Sequence, residues 1–315
     1  MSKKCIVIGD LNVDLILSKI NRRPRLGSEI LSSESLLDIG GSGGICSTVL
    51  SQLGIKTYII SKIGKDLYGD FLLNKLKKFG VKTDYIVVDS KKSTGLTINL
   101  SYPEDKYQIS AINNLRNFSI GEISLKDIGE VDHIHFTSYF IMDGLKDKYL
   151  KIINEIKKIN KNITFSLDTN DDPGNEWNGD LLNIIRRIDL LFLNKKEILN
   201  ITKAGRVEKA LDKLSDYVEI VIVKMGKEGS ITKTPKNTYY LDSIESVFSD
   251  STGAGDNFDA GFIYGFLNSY DFSKCLNIAN ICGAKNVENI GGVGSIKRFI
   301  KLRESIERLK NMNNG

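Results

Sequence analysis

Short apolar segments alternate with amphipathic segments along most of the 315-residue chain. The segments CIVIG, TYIISKIG, ITFSLDTN, DLLFLN and EIVIVKMG are nearly continuous in apolar residues and rich in β-branched side chains, which is typical of parallel strands buried on both faces. Between them, apolar residues recur at helical spacing, as at Leu72, Leu76 and Phe79 and again at Ile153 and Ile156. This β-α-β-α order predicts an α/β fold, a doubly wound and mostly parallel sheet with helices on both faces.

Two regions depart from that pattern, because their apolar residues alternate with period two and turn residues separate the runs. This alternation predicts half-exposed antiparallel strands, too few to form a domain of their own. We predict that they combine into a small β-sheet lid over the main domain, whereas an ordinary surface hairpin is the alternative. The predicted division is residues 1–11, 40–91 and 117–315 for the main α/β domain, and residues 12–39 and 92–116 for the lid.

The composition argues against several classes of protein. The formal net charge is only +5 and the basic residues form no large cluster, so we expect neither a nucleic-acid nor a membrane partner. No apolar run approaches the roughly 20 residues that a bilayer span requires, and Asp10 follows the start closely, so we expect a cytoplasmic protein. Cys5, Cys46, Cys275 and Cys282 form no Cys-x-x-Cys pair, which predicts buried thiols rather than disulfides or a zinc site.

The stretch DSTGAGDNFDAGFIYGFL joins a glycine-rich turn directly to an apolar helix. Gly253, Ala254 and Gly255 are small enough for their backbone N–H groups to converge on an anion at the positive end of the helix dipole. Asp256 follows at once, either as a capping residue or as a base beside a transferred phosphoryl group. We favour the catalytic role. No Walker loop occurs, and no Gly-x-Gly-x-x-Gly follows the first strand, which disfavours P-loop and Rossmann proteins.

These motifs resemble those of the ribokinase-like, or PfkB-type, carbohydrate kinases. The stretch from Asp250 to Asp256 matches the family's Asp-Thr-x-Gly-Ala-Gly-Asp motif, apart from Ser251 at the second position. GGSGGICSTVLSQLG, from Gly40 to Gly54, and the following GKDLYG resemble the family's earlier signature. The likeness runs from about residue 4 to residue 300. It implies the α/β domain with a small β lid that the periodicity also predicts.

The resemblance implies a nucleotide site. Asn194 and Glu197 resemble the family's Asn-x-x-Glu, which helps to place magnesium and the phosphates, with Glu197 acting through water. Lys224, Gly226 and Gly229 resemble the turn beside the nucleotide. Considered alone, Asn194 could simply cap a helix, and the two glycines could be ordinary turn residues.

The same resemblance places Asn280 near the adenine and Thr252 near the nucleotide. A satisfied core amide is the alternative for Asn280. It also suggests a monovalent cation such as K⁺ beside the glycine-rich turn, with Asp250, Thr252 and Ser295 as ligands. ATP and Mg²⁺ are the cofactors that the family implies.

Acceptor binding is predicted near the first strand. The carboxylate of Asp14 can accept hydrogen bonds from two neighbouring hydroxyls, and the resemblance assigns its position to sugar binding, with Asn12 as a companion. A solvated Asp in a lid strand is the alternative. Gly40 and Gly41 would let a substrate approach the backbone closely, and Ser42 follows them.

Ile45 departs from the family pattern, which usually has an asparagine there that contributes an amide to the sugar hydroxyls. An isoleucine offers only apolar contact, so the identity of the substrate is open. Arg116, Asn170 and the segment 138–140 are further candidates for the pocket.

We therefore expect an ATP-dependent kinase that phosphorylates an alcohol of a sugar or sugar-like molecule, with Asp256 as general base. A nucleoside kinase of the same family and a catalytically silent sugar-binding or nucleotide-binding homologue are the alternatives. An already phosphorylated sugar as acceptor would need two or more cations in the pocket. The exposed edges of the lid strands also suggest a homodimer formed through the lid.

Overall fold

The structure is a computed structural model. It describes residues 3–293 apart from residues 21, 103–105, 113, 117, 119–127, 129 and 178, together with residue 304. The strands are β1 (Lys4–Ile8), β2 (Asn12–Ser18), β3 (Glu34–Gly40), β4 (Lys56–Gly64), β5 (Lys82–Asp89), β6 (Gly95–Ser101), β7 (Lys106–Ala111), β8 (His133–Thr137), β9 (Thr164–Asp168), β10 (Leu190–Asn194), β11 (Ile220–Lys224), β12 (Ser230–Lys233) and β13 (Thr238–Leu241). The α-helices are α1 (Ser42–Gln52), α2 (Leu67–Lys78), α3 (Tyr149–Ile159), α4 (Leu181–Ile185), α5 (Lys195–Thr202), α6 (Val207–Ser215), α7 (Ala254–Leu267) and α8 (Phe272–Val287).

Nine strands form the main sheet, in the order β13-β12-β11-β10-β9-β8-β1-β4-β5. All neighbouring pairs from β11 to β5 are parallel, and β12 and β13 add antiparallel strands at one edge. On β1, Ile6 and Ile8 belong to the core on one face, and Cys5 and Val7 to the core on the other. Because both faces are covered, these strands are apolar at nearly every position. The predicted doubly wound fold is confirmed.

A second sheet has four strands in the order β3-β2-β6-β7. The pairs β2–β3 and β6–β7 are antiparallel, as predicted, but β2 and β6 run parallel. β2 and β6 belong to the two different regions and are far apart in the sequence. No short hairpin connects them, and the path of the chain through the main sheet sets their relative direction.

The two faces of the small sheet differ in polarity. Leu37, Leu15, Ile98 and Ile109 lie opposite one another in a single row across all four strands. On the other face, polar residues line a cleft: Asn12, Asp14, Thr97, Gln108 and Ser110. Period-two alternation in the sequence corresponds to these two faces.

The chain places polar residues where the parallel strands end. Asp10 follows β1, Ser138 follows β8, and Asp168, Asn194 and Lys224 are the last residues of β9, β10 and β11. All five line one cleft at the carboxyl edge of the main sheet, where open α/β sheets bind ligands.

Among the described residues, no helix has the length and apolar composition needed to cross a membrane, and the four cysteines are buried without disulfide partners.

Candidate active site

The polar face of the small sheet and the carboxyl edge of the main sheet enclose a cleft of about 1040 Å³. Most of the site residues predicted from the sequence line it: Asn12, Asp14, Gly41, Ser42, Ile45, Asn194, Glu197, Lys224, Gly226, Thr252, Gly253, Gly255 and Asp256. Five others, Gly40, Gly229, Asp250, Ala254 and Asn280, do not line it. Ser295 lies outside the described residues. The structure therefore brings residues from both predicted signatures to one cleft.

The glycine-rich turn leads into α7 through Gly253, the residue before the first helical position, which has a φ of 75°. A β-carbon at Gly253 would lie 2.6 Å from the Cα of Gly292, so both the backbone conformation and the space require glycine. The first N–H groups of α7 have no carbonyl partner within the helix. Ala254 N donates to the carbonyl oxygen of Ser251 at 3.2 Å, and the next two residues, Gly255 and Asp256, line the cleft. The turn therefore has the geometry of an anion site.

Asp256 lies in the first turn of α7 and is half-buried. Burial and the nearby negative charge of Asp168 raise the pKa of Asp256 to about 6, although Lys224 and a hydrogen bond with Ser42 oppose the shift. A carboxylate with a pKa close to neutrality, placed next to an anion site, is suited to act as a general base.

Lys224 forms the centre of a buried charge cluster. Its Nζ lies 2.7 Å from Asp168 Oδ2 and 3.0 Å from Asp259 Oδ2. Burial opposes ionisation, but the two carboxylates raise the pKa of Lys224 and its ammonium lowers the pKa of Asp168 to about 2. Burial beside Asp168 raises the pKa of Asp259. The cluster therefore holds the Lys224 ammonium between two buried acids at the cleft.

The sequence analysis assigned no individual role to Asp168 or Asp259. Asp259 lies three residues after Asp256 on α7, a spacing that places both on one helix face. Asp168 ends a parallel strand, a position that by itself indicates proximity to a ligand. The lysine that was predicted beside the nucleotide is held here by these two acids.

Asn194 and Glu197 form a complete capping box at the start of α5. Glu197 Oε2 accepts from Asn194 N at 2.8 Å, Glu197 Oε1 accepts from Asn194 Nδ2 at 2.6 Å, and Asn194 Oδ1 accepts from Glu197 N at 2.9 Å. Burial and Asp168 raise the pKa of Glu197 to about 8. Asn194 therefore caps α5, which is the alternative role considered for it, and Glu197 also lines the cleft.

Asp14 and Asn12 lie on the cleft side of β2. Asn12 Nδ2 donates to Asp14 Oδ1 and to Thr97 Oγ1, each at 3.0 Å. Burial raises the pKa of Asp14 to about 7, and the charge of Lys106 partly offsets this effect. Gly40 leaves room for this pair, because a β-carbon there would lie 2.0 Å from Asp14 Oδ1.

A second polar network joins the ends of β1, β8 and β9. Asp10 Oδ1 accepts from Ser138 Oγ at 2.7 Å and from Gly43 N at 3.2 Å. Asn170 donates from Nδ2 to Ser42 Oγ at 2.9 Å, and its Oδ1 accepts from Ser138 N at 2.8 Å. The candidates Ser42, Ser138 and Asn170 therefore belong to one network, and Asp10 is the member that the sequence analysis did not assign.

Ile45 is only 3% exposed, although it lines the cleft. Its side chain lies against the backbone of the glycine-rich turn, since a β-carbon at Gly253 would be 3.1 Å from Ile45 Cδ1 and one at Gly292 would be 2.4 Å away. The isoleucine therefore packs under the turn and supports it, which explains an apolar residue at a position next to polar groups.

The remaining predicted residues have partners within the protein. Asp250 accepts hydrogen bonds from Ser101, Thr252 and Gly291. Asn280 Oδ1 accepts from Ser230 Oγ, and its Nδ2 donates to the carbonyl of Asp242. Asn280 is thus a satisfied buried amide, as its alternative interpretation had it.

Gly229 has a φ of 90°, and a β-carbon there would lie 2.1 Å from the carbonyl oxygen of Leu241. Tight packing at the edge of the main sheet therefore accounts for a glycine at this position.

Within the described part of the chain, no group of three or more His, Cys, Asp or Glu side chains is arranged to hold a metal ion.

Comparison with known proteins assigns the family. The family model described as pfkB family carbohydrate kinase matches residues 2–298. The chain is 28% identical over 253 residues to an uncharacterized sugar kinase of Archaeoglobus fulgidus, covering 80% of this chain and 99% of that protein. It is 27% identical over 282 residues to an ATP-dependent ribose-1-phosphate kinase of Halopiger xanaduensis, covering 88% of this chain and 89% of that one.

Solved structures give the same fold. Arabidopsis thaliana ribokinase complexed with ribose and ATP superimposes with a TM-score of 0.80 at 20% identity, covering 96% of this chain and 99% of that one. The chain therefore belongs to the pfkB family of carbohydrate kinases, and it is a phosphotransferase with the ribokinase-like fold.

Proposed function

We propose that the protein transfers the γ-phosphoryl group of ATP to a hydroxyl of a sugar or sugar-like acceptor, with Asp256 as the general base. The observation that carries this proposal is the position of Asp256, a carboxylate with a pKa of about 6 in the first turn of the helix that the glycine-rich turn opens. The carboxylate takes the proton of the acceptor hydroxyl. The backbone N–H groups of Gly253 to Asp256 stabilise the negative charge of the phosphoryl group in transit.

Magnesium would bind near Glu197 through water. Carboxylate and amide oxygens suit this ion, but both oxygens of Glu197 already accept hydrogen bonds from Asn194, so a bridging water fits better than direct ligation. Bound there, the ion would neutralise phosphate charge. Gly226 lines the cleft, and it would lie beside the nucleotide.

A monovalent cation beside the glycine-rich turn would use oxygens of Asp250 and Thr252. Asp250 lies next to this turn and is 2% exposed, so a bound cation would stabilise the turn and take no part in the chemical step. A rise in turnover when K⁺ replaces Na⁺ at constant ionic strength would support this site, and equal rates would refute it.

The acceptor would lie between Asp14 and Asp256, with the backbone at Gly41 and the hydroxyl of Ser42 beside it. We further propose that residues 12–39 and 92–116 act as a lid on the main domain. Closure of the small sheet would exclude water, which would otherwise compete with the acceptor for the phosphoryl group.

The test is ADP release from MgATP with pentoses, hexoses, sugar acids and nucleosides as acceptors. One acceptor class should stimulate release, and Asp256→Asn should lower that rate by about 10²–10⁴-fold, the usual contribution of a general base. Asp216→Asn, which changes an exposed acid at the end of α6, is the matched control and should keep full activity. The proposal is wrong if no acceptor raises ADP release above the level of Asp256→Asn.

An acceptor that carries an anionic group is a second candidate. Lys106, Arg116 and Lys146 all line the cleft, and two or more cations are what a phosphorylated sugar would require. The relative from Halopiger xanaduensis is named a ribose-1-phosphate kinase, which supports the same direction. Assays that compare each neutral sugar with its phosphate or its sugar acid distinguish the two kinds of acceptor. A preference for the neutral sugar would exclude the anionic acceptor.

We also propose that two copies associate through the outer face of the small sheet. The apolar row of Leu37, Leu15, Ile98 and Ile109 crosses all four strands, and the side chain of Ile109 is 63% exposed. A two-fold axis would bury this row against its copy. Light scattering should give a dimer that Ile109→Lys dissociates, and a monomeric wild-type protein would contradict the proposal.

A further inference from the structure

The small sheet contacts the glycine-rich turn through one pair of residues. Lys106 begins β7, lines the cleft, and donates from Nζ to Thr252 Oγ1 at 3.3 Å. Its partner on β6 is Ser101, whose Oγ donates to Asp250 Oδ1 at 3.3 Å. A single cross-strand pair therefore reaches both Asp250 and Thr252, immediately before the turn that leads into α7.

Lys106 also acts on the acceptor side of the cleft. Burial is the largest influence on the pKa of Asp14, and the positive charge of Lys106 is the next, in the opposite direction. The ammonium group thus lies within electrostatic reach of Asp14 while it touches Thr252. The hydroxyl to be phosphorylated must lie between the same two places, the acceptor site and the anion site.

The other cations of the cleft are placed differently. Among the described residues, Lys106, Arg116, Lys146 and Lys224 line it. Lys224 is held between two buried carboxylates, and Lys146 Nζ lies 2.7 Å from an aspartate oxygen. Lys106 is the one of the four for which the structure gives a hydrogen bond to a residue of the glycine-rich segment, at Thr252.

We propose that Lys106 is a catalytic residue, which moves its ammonium from Thr252 Oγ1 to an oxygen of the phosphoryl group in transit. This inference rests on the proposed kinase function. The bond from the γ-phosphorus to the ADP oxygen breaks, the bond to the acceptor oxygen forms, and the hydroxyl proton goes to Asp256. Lys106 keeps its own proton throughout and supplies positive charge to the developing negative charge. Because Lys106 belongs to the small sheet, turnover requires that this sheet be in place.

The experiment compares Lys106→Met and Lys106→Arg with wild type, and Lys91→Met is the matched control because it removes an exposed lysine ahead of β6. Lys106→Met should lower kcat by about 10²–10³-fold with little change in the acceptor KM, and Lys106→Arg should recover part of the loss. The Kd of MgADP with aluminium fluoride and acceptor, which mimics the phosphoryl group in transit, should rise by a similar factor. The Kd of MgADP alone should not change.

Three outcomes are decisive. A kcat of Lys106→Met within about 3-fold of wild type would overturn the proposal, and so would a rise in the acceptor KM alone, which would show ground-state binding. Unchanged affinity for the aluminium fluoride complex would overturn it as well. If the wild-type protein itself shows no acceptor-stimulated ADP release, the proposed function fails instead. Circular dichroism of each variant separates loss of folding from loss of catalysis.

Discussion

Two buried carboxylates on opposite walls of the cleft, Asp14 and Asp168, have pKa values shifted in opposite directions. On the small sheet, Asp14 is 3% exposed, and burial together with its acidic neighbours raises its pKa to about 7. On the main sheet, Asp168 is 1% exposed, yet the Lys224 ammonium 2.7 Å away lowers its pKa to about 2. Burial is similar at both sites, so the difference in pKa comes from the Lys224 ammonium beside Asp168. Asp168 therefore keeps its charge near neutral pH, whereas Asp14 can change its charge there.

This difference matches the architecture. Asp168 and Lys224 end parallel strands in a sheet that is covered on both faces, so their positions are fixed by the core. Asp14 lies on a four-stranded sheet whose other face is half-exposed. Asp14 becomes more stable when it binds a proton or a ligand, which suits a residue that binds the acceptor. Asp168 is already neutralised by Lys224, which suits a structural role.

Removing the cation from the main-sheet wall should have the largest effect. Lys224→Met leaves the Asp168 carboxylate buried without its partner, and we expect the free energy of unfolding to fall by about 3–5 kcal/mol. Urea unfolding followed by circular dichroism measures the change. Lys233→Met, which removes a lysine at the end of β12 that pairs with the exposed Asp212 of α6, is the matched control and should cost about 1 kcal/mol or less. Equal losses in the two variants would contradict the comparison.

The pH dependence of stability should separate the two walls. The pKa of an Asp in the unfolded chain is about 3.9. Asp14 has a raised pKa, so folding binds a proton between about pH 4 and 7, and this contribution is lost as the pH rises through 7. Asp14→Asn removes the penalty of a buried charge, and we expect it to gain stability relative to wild type between pH 5 and 8, by about 1 kcal/mol or more.

Asp168→Asn provides the opposite case in the same experiment. The pKa of Asp168 is lowered, so its stabilisation is complete above about pH 4 and is lost only as the pH falls toward 2. The titration of Asp168 itself should therefore add no pH dependence between pH 5 and 8, and the loss of stability in this variant should vary there only through Asp256 and Glu197, whose pKa values Asp168 raises. Parallel curves for Asp14→Asn and wild type over that range would show that Asp14 does not titrate there.

A smaller effect should follow from filling the space beside Asp14. In Gly40→Ala, the new methyl group would overlap Asp14 Oδ1 and displace the carboxylate, so we expect a loss of about 1–3 kcal/mol in stability and a raised acceptor KM. Gly205→Ala is the control, because nothing lies within 4 Å of the added carbon. Thermal unfolding and acceptor kinetics measure both effects. An unchanged KM would mean that the position of Asp14 is unimportant for binding.

The sequence by itself determined the class of fold and the location of the glycine-rich turn. Continuous apolar runs can be satisfied only by strands covered on both faces, and period-two alternation only by a sheet with two unlike faces. The glycine-rich turn before α7 was predictable because it is formed by residues adjacent in sequence, from Gly253 to Asp256. The expected role of Asp256 as base stays a prediction.

Only the tertiary structure decided the charges and the contacts between distant segments. Asp168, Lys224 and Asp259 come from β9, β11 and α7, and no local pattern indicates that they meet. The contact of Lys106 with Thr252 joins residues 146 positions apart. The parallel pairing of β2 and β6 likewise depends on the path of the chain between them. Periodicity reports which side of an element is buried, whereas a pKa depends on every charge within a few ångströms, and those neighbours are chosen by the packing of the whole chain.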